Sequence, residues 1–257
     1  MKWAITYDPS RKVVLKKTPE TDAIFKQMAT LLADVKEDKS VLRLSMDAKA
    51  TVLIGPYSRE GRNRITIKAA DHDFHPEVKV TPYCIFLPDY AVAYLYFTQS
   101  RVTSDFIADC LLDCWNRIRH DFPQTKTLLL QQDNGPENHS RRTQFMQRMV
   151  QLADQLQLKI QLAYYPPYHS KYNPVERFWG HLEQHWNADL LDSIETVLNF
   201  AQTMTWHQQH PVVTFVHKAY HKGIKLSQQA MSILEQRFDR LDGLEKYFVL
   251  IRPLLPI

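Results

Sequence analysis

Glycine and cysteine are scarce in this chain of 257 residues, which contains only 6 glycines and 3 cysteines. So small and odd a number of cysteines excludes a disulfide-rich secreted scaffold. The chain has no long tract of glycine, serine or proline, so we expect no flexible linker between domains. No apolar run approaches the roughly 18 residues of a membrane span, and the first residues lack the apolar core of a signal peptide. These absences predict a cytoplasmic protein without a membrane partner.

The residues that are present describe an ordinary folded protein with a mild positive charge. Hydrophobic residues make up 44% of the chain and charged residues 23%, a composition that can bury a full core. The formal net charge is +4, which permits an anionic partner without requiring one. Basic residues cluster within 59–68 and 141–148, where they either contact such a partner or form solvated faces.

The apolar pattern predicts an α/β fold in three parts. Residues 1–40 form a polar lead with one helix. Residues 41–190 run as three strands, helix, strand, helix, strand and helix, which is the order of a mixed sheet with helices on both faces. Residues 191–257 are expected to form a helical extension, with a final strand or extended segment in the stretch LEKYFVLIRPL.

Three acidic side chains stand at the ends of predicted elements in the middle part. Asp47 closes the strand VLRLSMD, and Asp133 follows the nearly continuous apolar run KTLLLQQ. Glu176 follows the stretch YYPPYHSKYNPV, in which the Pro-Pro pair must end a strand before the next helix begins. Because functional groups of α/β sheets gather at strand ends, we expect these three side chains to converge.

Glu176 also has a purely structural interpretation. Asn173 occupies a helix N-cap position and Pro174 the first helical position, so Glu176 could reach back to the cap N–H as in a capping box. The alternative is that Glu176 joins Asp47 and Asp133 as a metal ligand. Three carboxylates suit Mg²⁺ or Mn²⁺, and two such ions about 4 Å apart support an in-line phosphoryl displacement without a side-chain nucleophile.

The stretches SMDA, QQDNG and PPYHSKYNPVERFW, in this order, resemble the catalytic core of the superfamily of DDE transposases and retroviral integrases. The third stretch is the most specific, because it resembles the third-carboxylate motif of mariner-like bacterial insertion-sequence transposases. The segments DHDF and TSDF resemble one branch of that group. The resemblance covers approximately residues 20–225 and implies an RNase H-like core, which is a mixed five-stranded sheet with helices on both faces.

The resemblance implies that Asp47, Asp133 and Glu176 are catalytic and hold two Mg²⁺ or Mn²⁺ ions. It implies metal-dependent cleavage of DNA at transposon ends and strand transfer to target DNA, in a bacterial-type, nucleoid-associated protein. Glu183, farther along the same helix, is a weaker candidate for the third carboxylate. Two other functions stay open, namely a metal-dependent nuclease without strand transfer and a truncated DNA-binding remnant without catalysis.

Contacts to DNA are expected from several basic residues and from a further module. Family members usually carry an N-terminal helix-turn-helix region that reads the element's ends, and little room for it precedes Asp47. We therefore expect a separate helix-turn-helix subunit or a fused upstream frame, and a homodimer that brings two ends together. The expected DNA contacts are Arg59, Arg62, Arg64, Lys68, Arg141, Arg142, Lys171 and Arg177.

Overall fold

The computed structural model describes residues 17–57, 78–187 and 189–254 of the chain. The DHDF segment and four of the predicted DNA contacts lie outside these residues. Those four contacts are Arg59, Arg62, Arg64 and Lys68.

Six α-helices and nine strands are found among the described residues, with one 3-10 turn at Ser170–Tyr172. The elements before the middle of the chain follow the predicted order closely. In chain order they are α1 (Thr21–Asp34), β1 (Val41–Ala48), β2 (Val52–Leu53), β3 (Lys79–Leu87), β4 (Val92–Thr98), α2 (Ser104–Ile118), β5 (Thr127–Gln132), α3 (Thr143–Leu156), β6 (Lys159–Tyr164), α4 (Val175–Trp186), α5 (Ile194–Thr203), β7 (Val212–Val216), α6 (Gln228–Glu235), β8 (Phe238–Arg240) and β9 (Phe248–Ile251).

The described strands form one mixed sheet in the order β7-β4-β3-β1-β5-β6-β9-β8, with β2 beside β3. β1 pairs antiparallel with β3 and parallel with β5, which in turn pairs parallel with β6. The apolar run Leu128–Leu130 of β5 is fully buried, as expected for a parallel strand covered on both faces. The adjacent strands β4-β3-β1-β5-β6 confirm the mixed five-stranded sheet predicted from the sequence.

Alternate residues of β3 separate two hydrophobic cores, which shows that helices cover both faces of the sheet. Ile85 belongs to the core that contains Phe106 of α2 and Phe145 of α3. Phe86, its neighbour in the strand, belongs to the core that contains Phe178 of α4. Burying a side chain of this size contributes roughly 1.5–3 kcal/mol, so the apolar face of α4 anchors that helix firmly on the sheet.

The C-terminal segment contains the two predicted helices and the predicted final strand, but also two strands, β7 and β8, that the sequence does not predict. It contains α5 and α6, but β7 extends the sheet beside β4, and β9 and β8 extend it beyond β6. The apolar run Val212–Val216 pairs with backbone groups that β4 would otherwise leave open at an edge.

None of the helices in the described part of the chain is long and apolar enough to cross a membrane.

Candidate active site at the ends of the central strands

Asp47 and Asp133 are brought together by the parallel pairing of β1 and β5. Ser45 lies beside Gln131 in that ladder. Since side chains on one face of a strand recur every second residue, the next position on the same face brings Asp47 beside Asp133. Asp47 is the last residue but one of β1, and Asp133 directly follows β5. The predicted convergence of these two residues therefore follows from strand register.

The carboxylate of Asp47 accepts a hydrogen bond from helix α4. The indole N–H of Trp179 donates a hydrogen bond of 3.1 Å to Asp47 Oδ2. Burial, followed by the nearby charges of Asp133 and Glu176, raises the pKa of Asp47 to about 7. Asp133 and Glu176 therefore lie near enough to Asp47 for their charges to add to the effect of burial.

Asp133 is held by the loop that follows it. Asn138 is almost fully buried, and its side-chain amide donates to Asp133 Oδ1 at 3.2 Å and to the Asp133 carbonyl at 3.0 Å. The hydroxyl of Tyr164 donates in turn to the Asn138 carbonyl at 2.6 Å. A Cβ at Gly135 would lie 2.9 Å from Asn138 Oδ1 and 3.2 Å from Asp133 Oδ1. Glycine in the Asp-Asn-Gly sequence therefore permits the close approach of this loop to the carboxylate.

Glu176 lies in the first turn of α4, but the capping box, which was the structural interpretation of this residue, is not formed. The Asn173 N–H donates to the Ser170 carbonyl at 2.7 Å, so it is not bound by Glu176. The backbone of Asn173 is extended and its carbonyl accepts from the Glu176 N–H at 3.0 Å, as at a helix cap. Its side chain, however, points to β1 instead of capping α4. The side chain of Asn173 therefore makes no capping hydrogen bond to α4, although the residue stands at the start of that helix.

Ser45 of β1 performs the capping that was predicted for Asn173. Its hydroxyl accepts from the Val175 N–H at 2.9 Å and donates to Asn173 Oδ1 at 2.6 Å. The Asn173 amide donates to the Met46 carbonyl at 3.1 Å. Ser45 and Asn173 are both almost completely buried. These three hydrogen bonds, called here the Ser45–Asn173 tie, join the start of α4 to the strand that carries Asp47.

The three carboxylates suit a divalent cation by their chemistry, since Mg²⁺ and Mn²⁺ prefer hard oxygen ligands. In the part of the chain that the structure describes, no group of three or more acidic, histidine or cysteine side chains is arranged so that it could hold a metal ion. A cation would favour the charged form of Asp47, whose pKa is raised by burial first and then by the charges of Asp133 and Glu176. Beside Asp133, the buried Asn134 Oδ1 lacks a hydrogen-bond donor, so the site also has an unsatisfied oxygen acceptor.

Glu183, the weaker candidate for the third carboxylate, is engaged elsewhere. Its Oε1 forms an ion pair of 2.8 Å with Lys49, and its Oε2 accepts from the Trp186 indole N–H at 2.8 Å. Lys49 also lies over the ring of Trp179, with 5.7 Å between its Nζ and the ring centroid. Glu183 therefore has a structural role that the sequence did not reveal.

The predicted DNA contacts that the structure describes differ in availability. Arg141, Lys171 and Arg177 are exposed. The side chain of Arg142 is only 15% exposed and forms an ion pair of 3.3 Å with Glu137. Arg142 is therefore less accessible to a DNA backbone than the other three residues.

A family model described as the Rhodopirellula transposase DDE domain matches residues 7–253 of the chain. Solved structures of the Mos1 mariner transposase are also similar, namely the paired-end complex with the left transposon end (TM-score 0.53, 11% identity) and the paired-end complex with Mn (TM-score 0.54, 12% identity). Each alignment covers 76% of this chain but only 57% of the Mos1 chain. At this identity the likeness shows the fold alone. No curated protein matches the chain.

Proposed function

This chain belongs to the family of transposase DDE domains, and on that premise we propose that it is the catalytic part of a DNA transposase. The proposed reaction is metal-dependent cleavage of phosphodiesters at the ends of a mobile element, followed by transfer of the freed 3′ end to target DNA. The observation that supports it most strongly is the buried Asp47, which lies near enough to Asp133 and Glu176 for their charges to act on it and whose strand pairs with the strand that Asp133 follows.

Two of the three proposed ligands, Asp47 and Asp133, are held by hydrogen bonds from other side chains of the protein. Asp47 and Asp133 would bind cations from neighbouring strands, and Glu176 would complete the ligand set from the start of α4. Trp179 orients Asp47, and Asn138 orients Asp133. When bound, Mg²⁺ or Mn²⁺ supplies the positive charge that stabilises the entering and leaving oxygens of a phosphoryl displacement. The Mos1 complexes with Mn and with Mg support this choice of ions.

DNA is the proposed partner, as it is in the Mos1 complex with a transposon end. The exposed side chains of Arg141, Lys171 and Arg177 would contact its backbone. Binding of this kind is sensitive to salt and carries little sequence information. Recognition of the terminal sequence would then require a helix-turn-helix region, supplied by a separate subunit or a fused upstream frame.

We also propose that two copies of the chain act together on two ends in the bacterial cytoplasm, associated with the nucleoid. The Mos1 structures are paired-end complexes, which supports a homodimer.

The proposal is tested by Asp133→Asn and Glu176→Gln, assayed on supercoiled DNA that carries both ends of the element, with Mg²⁺. Each variant should lose cleavage by roughly 10³-fold or more, because charge stabilisation at the reacting phosphate is lost. The matched control is Glu195→Gln, because Glu195 is an exposed glutamate in the first turn of α5. This variant should cleave DNA at the normal rate. Full cleavage by either active-site variant would contradict the assignment of that residue.

The products of the same assay distinguish the remaining functions. Joined element and target strands indicate transposition, whereas hydrolysed ends without joining indicate a nuclease. DNA binding without cleavage, together with no binding of Mg²⁺ or Mn²⁺ in a titration, would indicate a non-catalytic remnant.

A further inference from the structure

Lys49 follows directly after the strand that carries Asp47. Its backbone N–H donates to the Pro82 carbonyl at 2.9 Å, which continues the pairing of β1 with β3 by one residue. Because side chains on one face of a strand recur every second residue, Lys49 projects from the same face as Asp47. Both side chains contact α4, since Asp47 accepts from Trp179 and Lys49 pairs with Glu183.

Two residues of α4 contact the ammonium group of Lys49. Its Nζ lies 2.8 Å from Glu183 Oε1 and 5.7 Å from the centroid of the Trp179 ring. Trp179 and Glu183 are four positions apart, so they lie on one face of the helix. Glu183 is in turn fixed by the fully buried Trp186, whose indole N–H donates to Glu183 Oε2 at 2.8 Å. Lys49 therefore meets a carboxylate and an aromatic ring whose positions are both set by the helix.

The contact between Lys49 and Trp179 is shielded from water. The side chain of Lys49 is only 14% exposed, and Trp179 is 3% exposed. By contrast, Lys218 lies 5.1 Å from the centroid of the Tyr220 ring, but its side chain is 64% exposed. A cation over an aromatic ring interacts more strongly where water is excluded, because water screens the charge. We therefore expect Lys49, unlike Lys218, to influence the ring it contacts.

The indole of Trp179 connects Lys49 to Asp47. Its N–H donates to Asp47 Oδ2 at 3.1 Å, and the same ring lies under the ammonium of Lys49. A cation over the ring attracts the π electrons, which makes the N–H a better hydrogen-bond donor. A stronger hydrogen bond restricts the rotation of the Asp47 carboxylate more tightly. Lys49 thus acts on Asp47 without contacting it.

We propose that Lys49 is a positioning residue, which acts through the indole of Trp179 to hold the carboxylate of Asp47 in the orientation that catalysis needs. Glu183 keeps the ammonium group over the ring. The inference rests on the proposed function, because it takes the role of Asp47 from there. It adds two charged residues that serve the reaction from outside the set of proposed cation ligands and DNA contacts.

A simpler role for Lys49 is to attach α4 to β1 through its ion pair with Glu183. The helix is already held by its buried apolar face and by the Ser45–Asn173 tie. The two roles differ in what they predict for Glu183→Gln, which removes the ion pair but keeps an oxygen that accepts from Lys49. Attachment predicts that Glu183→Gln and Lys49→Met have equal effects. Positioning predicts that only Lys49→Met affects the indole of Trp179.

The first test observes the indole N–H signals of the five tryptophans by NMR of the ¹⁵N-labelled full chain, without metal or DNA. Trp179→Phe identifies the signal of Trp179. We expect Lys49→Met to move the Trp179 proton upfield, because a weaker hydrogen bond leaves the proton more shielded. Lys49→Arg should leave it nearly in place, since a guanidinium keeps the charge and stacks on aromatic rings. The control is Lys159→Met, at an exposed lysine at the start of β6, which should not move it.

The second test measures the affinity for Mn²⁺ without DNA, followed by the EPR signal of the free ion. Lys49→Met should weaken binding roughly threefold to tenfold, the size of a desolvated cation–π contact. Lys49→Arg and Glu183→Gln should stay near the value of the unmodified protein. Trp179→Phe should weaken binding as well, and Lys49→Met should add no further loss in that background, because both act through one hydrogen bond. Urea unfolding checks that each variant is folded.

An unchanged Trp179 signal in Lys49→Met would overturn the inference, and so would equal effects of Lys49→Met and Glu183→Gln. Losses of Mn²⁺ affinity that multiply in the double variant would also overturn it. If Trp179→Phe does not fold, the comparison of Lys49→Met with Lys49→Arg and Glu183→Gln still decides between the two roles.

The two proposals fail in different ways. The NMR test contains neither metal nor DNA, so its result does not depend on the proposed function. A protein that cleaves DNA, but whose Trp179 signal and Mn²⁺ affinity do not respond to Lys49→Met, keeps the proposed function and loses only the assignment of Lys49. An unmodified protein that binds no Mn²⁺ would contradict the proposed function and overturn this inference with it.

Discussion

The three carboxylates are held in place by two different kinds of structure. Asp47 and Asp133 are carried by neighbouring strands, whose backbone hydrogen bonds do not depend on the identity of their side chains. Glu176 is carried by the start of α4, whose polar contacts to β1 are made through the side chains of Ser45 and Asn173. The strand-borne pair is therefore placed by the fold, and the third carboxylate by a few side chains.

This difference predicts where the site is sensitive to substitution. Without the Ser45 hydroxyl, the Val175 N–H and Asn173 Oδ1 lose their partner in a buried place, at a cost of about 1–3 kcal/mol for each unsatisfied group. The helix would nevertheless stay on the sheet, because Phe178 and Trp186 remain fully buried. Loss of the tie should therefore move Glu176 without unfolding the protein.

Ser45→Ala tests the comparison most directly. We expect DNA cleavage with Mg²⁺ to fall roughly 10- to 100-fold, since a displacement of about 1 Å at a catalytic group can cost 10²-fold. A titration with Mn²⁺, followed by the rise in melting temperature, should show weaker binding, because the position of Glu176 is loosened.

The control is Ser140→Ala, because Ser140 is equally buried and its hydroxyl donates to the Lys246 carbonyl at 2.8 Å, away from α4. Both variants should lose similar stability in urea unfolding, but only Ser45→Ala should lose activity and metal affinity. Equal loss of activity in the two variants would show that Ser45 acts through general stability alone.

A double-mutant cycle of Ser45→Ala and Asn173→Ala shows whether the two side chains position Glu176 as one unit or independently of each other. Because both side chains belong to the same three hydrogen bonds, the double variant should cleave DNA about as slowly as the slower single variant. The rates of the four proteins are measured on one substrate. Losses that multiply would mean that Asn173 and Ser45 position Glu176 separately.

The same distinction explains which parts of the site can be predicted from the sequence. The run KTLLLQQ predicts a buried strand that ends at Asp133, because strand patterns depend on residues close together in the chain. The local pattern around Asn173 predicts a side-chain cap, but the cap comes from Ser45, which is 128 positions away. Nothing in one sequence identifies a partner at that distance, since a buried serine in a strand has no distinctive pattern.

The sequence predicts the final strand β9 but not the edge strand β7. The run VVTFV is only five residues long and lies in the segment predicted to be a helical extension, whereas it pairs with β4 as β7. A short edge strand forms because it pairs with open backbone groups of a neighbouring strand, and that strand belongs to another part of the chain. The core of the fold and the final strand β9 are therefore predictable from the sequence, whereas the short strands β7 and β8 are not.

The smallest expected effect concerns Asp133. It tests whether a carboxylate placed by strand pairing tolerates a substitution in the neighbouring loop. Asp133 lies just past the end of β5, so its orientation also depends on the loop through Gly135. The methyl group of Gly135→Ala would press on Asn138 Oδ1 at 2.9 Å, but that contact is with the end of a side chain, which can shift.

We therefore expect Gly135→Ala to lower cleavage only about threefold to tenfold, less than Ser45→Ala, because partial misorientation costs less than displacement of a ligand. Gly180→Ala is the control, since nothing lies within 4 Å of a Cβ at that position of α4 and the substitution should stabilise the helix by roughly 0.5–1 kcal/mol. Both are compared by cleavage rate and urea unfolding. A loss for Gly135→Ala larger than that for Ser45→Ala would mean that the loop, and not the strand ladder, positions Asp133.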